Sequence, residues 1–271
     1  MSLSSLPPLR EAMKAAGIGA DKRFGQHFLF DLNICRKIAK IAELSDGDVV
    51  LEVGPGPGGL TRALLETGAR VTAVEKDVRF LSLLADLAAA ADGRLAVVHA
   101  DALALDEAAT VGTGASIAAN LPYNVGSPLL VKWLTGPARP RAMTLMFQVE
   151  VARRITATPG AEDYGRLAVL AQALAEPRIA MHLPARAFTP PPKVDSAVVR
   201  LIPHPERPDA ALIASLQRVT AAAFGQRRKM LRSSLRTLGG AALCEATGID
   251  PDARAETVPV AKFLALASAT I

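Results

Sequence analysis

Apolar and polar positions fall into short alternating blocks over the first 150 residues of the chain. Asp48-Val49-Val50-Leu51-Glu52-Val53 is a compact apolar run closed by Gly54-Pro55-Gly56-Pro57-Gly58-Gly59. An amphipathic stretch from Leu60 to Leu65 follows and stops at Gly68. A short apolar run, a glycine turn and a helical period predict strand, turn and helix in that order. Arg70–Val74 predicts a second strand, and Val78–Ala91 a helix with Leu81, Leu83, Leu84 and Leu87 crowded on one side. Leu95–His99, Ser116–Ala119 and Met143–Phe147 predict three more strands, with helix over Leu129–Leu134 between the last two. Strand and helix alternating in this way predict an α/β fold: a parallel, doubly wound sheet covered by helices on both faces.

The texture then changes. Arg178–Leu183 and Ala197–Ile202 read as two strands with no helix-length segment between them, and Pro184, Pro190, Pro191 and Pro192 lie in their link. A hairpin-like pair at the end of the sheet is expected. Prolines punctuate the chain from Pro203 to Pro208, and everything beyond is helical in pattern. The expected division is a catalytic domain over 1–203 and a small all-helical domain over 204–271.

Composition adds a little. A length of 271 residues is enough to bury a full core. Lys and Arg exceed Asp and Glu by 31 to 26, a net +5 that favours a polyanionic partner. Cys35 and Cys244 are far apart and have no metal-ligand or Cys-x-x-Cys spacing, which predicts reduced structural thiols and a cytoplasmic protein. His27, His99, His182 and His204 are scattered, so no metal is expected. Thr110–Val131 carries no charge, but three glycines, two prolines and two asparagines make it a poor membrane span. The stretch Met1–Gly17 has prolines and mixed charge where a signal peptide needs an apolar core, and no membrane association is expected.

The candidate chemistry lies at strand ends. Gly54, Gly56 and Gly59 satisfy the dinucleotide fingerprint and bring backbone close to a ligand at a helix N-terminus. Glu75, 21 residues beyond the first glycine, can accept hydrogen bonds from both hydroxyls of a ribose. These features alone fit a nicotinamide-dependent oxidoreductase as well as a methyl-donor site. Asp101, after the third strand, can accept from an adenine amino group with Ala102 beside the ring. Asn120-Leu121-Pro122-Tyr123 closes the fourth strand with a carboxamide, a carbonyl ahead of or at a proline, and an aromatic ring. That set can hold a planar amine-bearing base, with two acceptors for its N–H groups and one ring on its face. Holding both hydrogens out of plane localises a nitrogen lone pair that the ring otherwise delocalises.

With these segments in view, the chain resembles the small-subunit (16S) ribosomal RNA adenine-N6,N6-dimethyltransferase family, from about Lys22 to the C-terminus. The resemblance is carried by Phe24-Gly25-Gln26-His27-Phe28-Leu29, Glu52–Gly58, Asn120–Tyr123, Phe188-Thr189-Pro190-Pro191-Pro192-Lys193-Val194-Asp195-Ser196 and Phe224-Gly225-Gln226-Arg227-Arg228-Lys229. It implies S-adenosyl-L-methionine as cofactor. His27 and Leu29 would reach the donor from the N-terminal side, Gly54 its methionine part, Glu75 its ribose, and Asp101 its adenine with Ala102 beside the ring; Gly56 and Asn120 would also line the donor site. Many members carry Asn where this chain has His27. Asn120, Leu121, Pro122 and Tyr123 would hold the target adenine, with Phe188 stacking on its other face. Val125 and Gly126 would leave room for a first methyl group.

The implied substrate is a pair of adjacent adenosines in the 3′-terminal hairpin of small-subunit ribosomal RNA, modified on the pre-ribosomal small subunit by a monomer. Two related readings stay open: a large-subunit adenine dimethylase of the macrolide-resistance type, and a mainly non-catalytic RNA-binding assembly factor. A DNA adenine methyltransferase fits less well, because those enzymes usually place Asp or Asn before Pro-Pro-Tyr and here Leu121 intervenes. No acidic residue occurs between Ala210 and Cys244, whereas Arg218, Arg227, Arg228, Lys229, Arg232 and Arg236 do. Residues 204–271 hold nine Lys and Arg against six Asp and Glu. Arg228, Arg232 and Arg236 are spaced to share one helical face, with Met230, Leu231, Leu235 and Leu238 on the buried side, which predicts phosphate contacts from Arg227, Arg228, Lys229, Arg232 and Arg236.

Overall fold

A computed structural model describes residues 3–20, 26–226 and 229–271. Its strands are β1 (Phe28–Leu29), β2 (Val49–Val53), β3 (Arg70–Glu75), β4 (Leu95–His99), β5 (Ser116–Asn120), β6 (Met143–Gln148), β7 (Ala175–Leu183), β8 (Phe188–Thr189) and β9 (Ser196–Pro203). Seven of them form one sheet in the order β4-β3-β2-β5-β6-β9-β7. The first five are parallel, and β9 returns antiparallel to β6, from Met143↔Leu201 to Gln148↔Ser196. The five parallel strands and the irregular end of the sheet are those expected from the sequence.

Parallel strands buried on both faces are rich in apolar residues, and β2 is apolar at every position but Glu52, with Val50 and Leu51 wholly buried. Register then sets where the chemistry falls. Val53 pairs with Val74 on one side and Ala119 on the other, Glu75 pairs with His99, and Asn120 with Met146. The carboxyl ends of β2, β3, β4 and β5 therefore line up along one edge. On one face the helices Leu32–Ile41 and Gly59–Glu66 pack over a core holding Ile38, Leu60, Leu64, Leu65 and Val71. Each fully buried side chain of this size stabilises the fold by about 1.5–3 kcal/mol. Asp31 starts the first of these helices by accepting the Asn33 N–H at 2.8 Å.

β1 and β8 form a separate two-stranded ladder, Phe28↔Thr189 and Leu29↔Phe188. Nothing in the hydrophobic pattern announced it, because two-residue strands have no period and their partners are about 160 positions apart.

The chain divides into two compact units. The first comprises Met1–Trp133, Pro137–Val149 and Ile179–Leu201, and the second Leu134–Gly136, Glu150–Arg178 and Ile202–Ile271. The break expected at 203/204 differs from this division by placing 134–136, 150–178 and 202–203 in the catalytic domain. Helix Arg166–Leu174 packs instead against Ala210–Phe224 and Val260–Ser268 in the second unit. The core of that unit includes an aromatic chain in which Phe224 lies edge-on to Tyr164 and stacks on Phe263, and the Tyr164 hydroxyl donates to the Val258 carbonyl at 2.9 Å.

The expected continuous basic helix is corrected by the structure. Leu231–Ser234 is a single helical turn, followed by a 3-10 turn over Arg236–Leu238. The N–H groups of Leu231 and Arg232 donate to the carbonyls of Ala253 and Pro251, and Met230 bridges to Arg254, so a new helical turn begins at Leu231 with its first donors satisfied from outside it. Leu231 and Leu235 are buried as expected, but Met230 is 38% exposed.

Candidate functional site

Along the aligned strand ends of the first unit opens a cavity of about 310 Å³. His27, Leu29, Gly54, Gly56, Glu75, Asp101, Ala102, Asn120, Leu121, Pro122 and Tyr123 all line it. Phe188 does not. It is 3% exposed, in the same core as Leu29, Ala118 and Val198. Its β8 pairing with Leu29 explains this placement, and an open stacking face at Phe188 is not what the structure presents.

The glycine loop is built for close approach. Gly54, Gly56 and Gly58 have φ of 70°, 52° and 87°, a region that side-chain-bearing residues rarely adopt. Gly59 begins the following helix so near β1 that a Cβ there would lie 2.7 Å from the Leu29 carbonyl oxygen. Glu75 ties this loop to the next strand: its Oε2 accepts the Gly56 N–H at 2.9 Å and its Oε1 the Asp77 N–H at 2.8 Å. Burial raises the Glu75 carboxyl above its ordinary range. Asp101 is more open. Its Oδ2 pairs with Lys76 at 2.8 Å and its Oδ1 accepts the Leu103 N–H at 3.0 Å, which together hold its carboxyl below the usual value.

The cavity wall also carries acids that the strand-end argument missed. Glu52 is 1% exposed, and its Oε2 has no hydrogen-bond partner among the described residues. Burial, with the charge of Glu75 adding, pushes its carboxyl up to about 8. Asp77 accepts from Arg79 at 2.5 Å and from Gln26 at 2.8 Å, and the Arg79 bonds foremost hold its carboxyl low. Glu52 reads in sequence as one polar residue inside a strand, which is why burial alone reveals it. Asp77, two residues beyond Glu75, reads only as a helix cap.

At the end of β5 the Asn120 amide donates through Nδ2 to the His27 carbonyl at 3.3 Å. That bond spends an N–H and leaves Oδ1 as the acceptor. Of the two carbonyls considered from sequence, that of Pro122 accepts the Val125 N–H at 3.1 Å, which makes the Leu121 carbonyl the less committed of the two. The Tyr123 ring is held at its far end by a 2.8 Å hydrogen bond between its hydroxyl and Ser196 Oγ. His27 stacks on it with centroids 5.6 Å apart and planes 28° off parallel, and its Nδ1 lies 2.8 Å from the Pro190 carbonyl. Sequence pairing of Tyr123 with Phe188 thus gives way to Tyr123 with His27. Val125 lines the cavity, whereas Gly126 is buried against Phe147, where a Cβ would approach to 3.1 Å.

Other calls fall outside this site. Arg227 and Arg228, like Lys22 to Gly25, lie outside the described residues. Lys229, Arg232 and Arg236 are exposed on the second unit, and Arg232 pairs with Asp252 at 3.0 Å. Both cysteines are buried and free, and burial pushes the Cys35 thiol up to about 12. Among the described residues no group of three or more His, Cys, Asp or Glu is placed to hold a metal, and no helix is long and apolar enough to cross a membrane.

A donor of the S-adenosylmethionine type fits these residues. Its ribose and adenine need acceptors such as Glu75 and Asp101, and its positive charge meets a wall carrying Glu75, Asp77 and Asp101. Sheet order and site together fit the class of S-adenosylmethionine-dependent methyltransferases. Within that class, the profile of the ribosomal RNA adenine dimethylase family matches residues 19–270, and the chain belongs to that family. A ribosomal RNA small subunit methyltransferase A from Phenylobacterium zucineum is 67% identical over 270 residues, covering 99% of this chain and 94% of that one. Among solved structures, a dimethyladenosine transferase from Plasmodium falciparum superposes with a TM-score of 0.74 at 26% identity, covering 89% of this chain and 96% of that one. The 23S rRNA methyltransferase ErmE does so at 0.69 and 30% identity, covering 90% and 99%.

Proposed function

We propose that this enzyme dimethylates N6 of two adjacent adenosines in the 3′-terminal hairpin of small-subunit ribosomal RNA. The observation that carries this reading is that Asn120 and Leu121, whose side-chain and backbone oxygens can accept from a base amine, line the same cavity as Gly54, Glu75 and Asp101. Bound S-adenosyl-L-methionine supplies an electrophilic methyl group. Gly54 and Gly56 face its methionine part, Glu75 its ribose, and Asp101 with Ala102 its adenine.

The chain's own contribution at the other side of the cavity is positional. Asn120 Oδ1 and the Leu121 carbonyl accept the two hydrogens of the target amine, turning its lone pair out of the ring plane. Tyr123 offers a stacking face held in place by Ser196, and this offsets the few kcal/mol needed to unstack the base. A monomethylated amine keeps one hydrogen for one acceptor, and the aliphatic Val125 tolerates the first methyl. Water takes the proton from the alkylated amine. Positioning and fixed dipoles carry the catalysis.

Identity of 67% to a small-subunit enzyme, against 30% to a large-subunit one, supports the small-subunit target. We further read the protein as a cytoplasmic monomer acting on the pre-ribosomal small subunit, with the second unit supplying phosphate contacts through Lys229, Arg232 and Arg236. Labelled donor incubated with undermethylated small subunits, followed by mass-spectrometric mapping, tests the reading. N6,N6-dimethyladenosine at two neighbouring positions is the expected product. Monomethyladenosine alone, or preferential modification of duplex DNA or of large subunits, would reject it.

A further inference from the structure

The loop that follows β4 forms the Asp101 side of the cavity; Lys76 pairs with its Asp101 carboxylate, and its backbone is gripped by one side chain from another element. Within the loop, Asp101 turns back on itself: its carboxylate accepts the Leu103 N–H and its carbonyl accepts the Ala104 N–H at 3.0 Å. The carbonyls of Ala102 and Leu105 converge on the ammonium of Lys132, at 2.8 and 2.5 Å. Lys132 comes from the helix Gly126–Thr135, and its third bond goes to Glu107 Oε1 at 2.7 Å. Glu107 is itself fixed, 5% exposed and also accepting the Trp133 indole N–H at 2.7 Å. An ammonium has three donors, and here all three are used. Bonds from a charged donor are the stronger kind, and two of these fall on backbone that is not part of any strand or helix.

We propose that Lys132 is a positioning residue for donor recognition, holding the Asp101–Leu105 loop so that the cavity selects a 6-amino purine. The inference rests on reading the cavity as the S-adenosylmethionine site. Its logic is geometric. Lys132 touches the loop from behind, at Ala102 and Leu105, while Asp101, Ala102 and Leu103 line the cavity. Loosening the loop removes the acceptor meant for the purine amine and leaves the glycine loop and Glu75, on β2 and β3, undisturbed. The consequence is a loss of discrimination rather than a uniform loss of affinity.

Calorimetry with two probes separates these effects: S-adenosylhomocysteine, and S-inosylhomocysteine, which carries a carbonyl oxygen in place of the amine. The wild type should prefer the adenosyl probe by about tenfold to a hundredfold, the range for a hydrogen bond to a charged group. Lys132→Met should bring the two affinities to within about threefold of each other, chiefly by weakening the adenosyl probe. Lys132→Gln, which keeps a shorter two-donor group, should fall between them and serves as the readout if Lys132→Met does not fold. An unchanged ratio in a folded variant, or equal weakening of both probes, overturns the positioning role. Failure of the wild type to bind either probe overturns instead the reading of the cavity itself.

Discussion

Between pH 4.5 and about 8 the folded chain holds a proton on Glu52 that the unfolded chain has released. The unfolded state therefore binds fewer protons in this window, and the Glu52 contribution to stability falls as pH rises, by roughly 1.4 kcal/mol per pH unit at most. Below the window both states are protonated, and above it both are ionised. Glu52→Gln should accordingly gain on the wild type in denaturant melts at pH 8 relative to pH 5. A stability difference that is the same at both values would mean that Glu52 does not titrate there. Two other residues separate donor binding from transfer. Glu75→Ala should weaken S-adenosylmethionine binding by about 1–3 kcal/mol, read by calorimetry. Asn120→Ala should leave that affinity near wild type and slow the transfer step by about 10²–10³-fold in single-turnover assays, by analogy with removal of one preorganised donor. Parallel losses in both measurements would make Asn120 a structural residue.

Elements with a strong period were legible before any coordinate. β2 to β6 and the helices after β2, β3 and β5 follow from apolar runs and glycine turns, and their common edge follows from parallel order; the short helix Glu107–Val111 was not expected. What stayed hidden was non-local. The β1–β8 ladder joins residues far apart in sequence, and it is this pairing that buries Phe188 and leaves His27 to stack on Tyr123. The segment around Arg232 had a helical charge spacing, but its backbone donors are claimed by Pro251 and Ala253, partners that spacing cannot reveal. The close approach of β1 to the helix Gly59–Glu66 gives a test at this scale. Gly59→Ala places a methyl 2.7 Å from the Leu29 carbonyl oxygen, an atom of the backbone, so the contact is relieved only by moving an element. A stability loss of about 1–3 kcal/mol in urea melts is expected, together with weaker donor binding.

At the scale of the whole molecule, charge divides the labour. The cavity wall of the first unit is acidic, suiting a cationic donor, while the second unit has an acid-free stretch from Ala210 to Cys244 with exposed Lys229, Arg232 and Arg236. Replacing these three by Gln should weaken RNA binding and flatten its salt dependence by about 0.7–0.9 in log–log slope per lost phosphate contact. Filter binding over a range of salt would show it, and an unchanged slope would move the RNA face elsewhere. Arg232 should contribute least, because Asp252 already offsets its charge.

The helix Gly126–Thr135 leaves the base-holding motif only two residues after Tyr123 and carries Lys132 less than two turns further on. Ten helical residues are a stiff rod, so under the proposed reading the grip on the donor and the grip on the acceptor would be two ends of one part. Such a linkage restricts evolutionary tinkering: a lineage that re-tools the pocket for another base inherits a disturbed donor loop, and must repair both together.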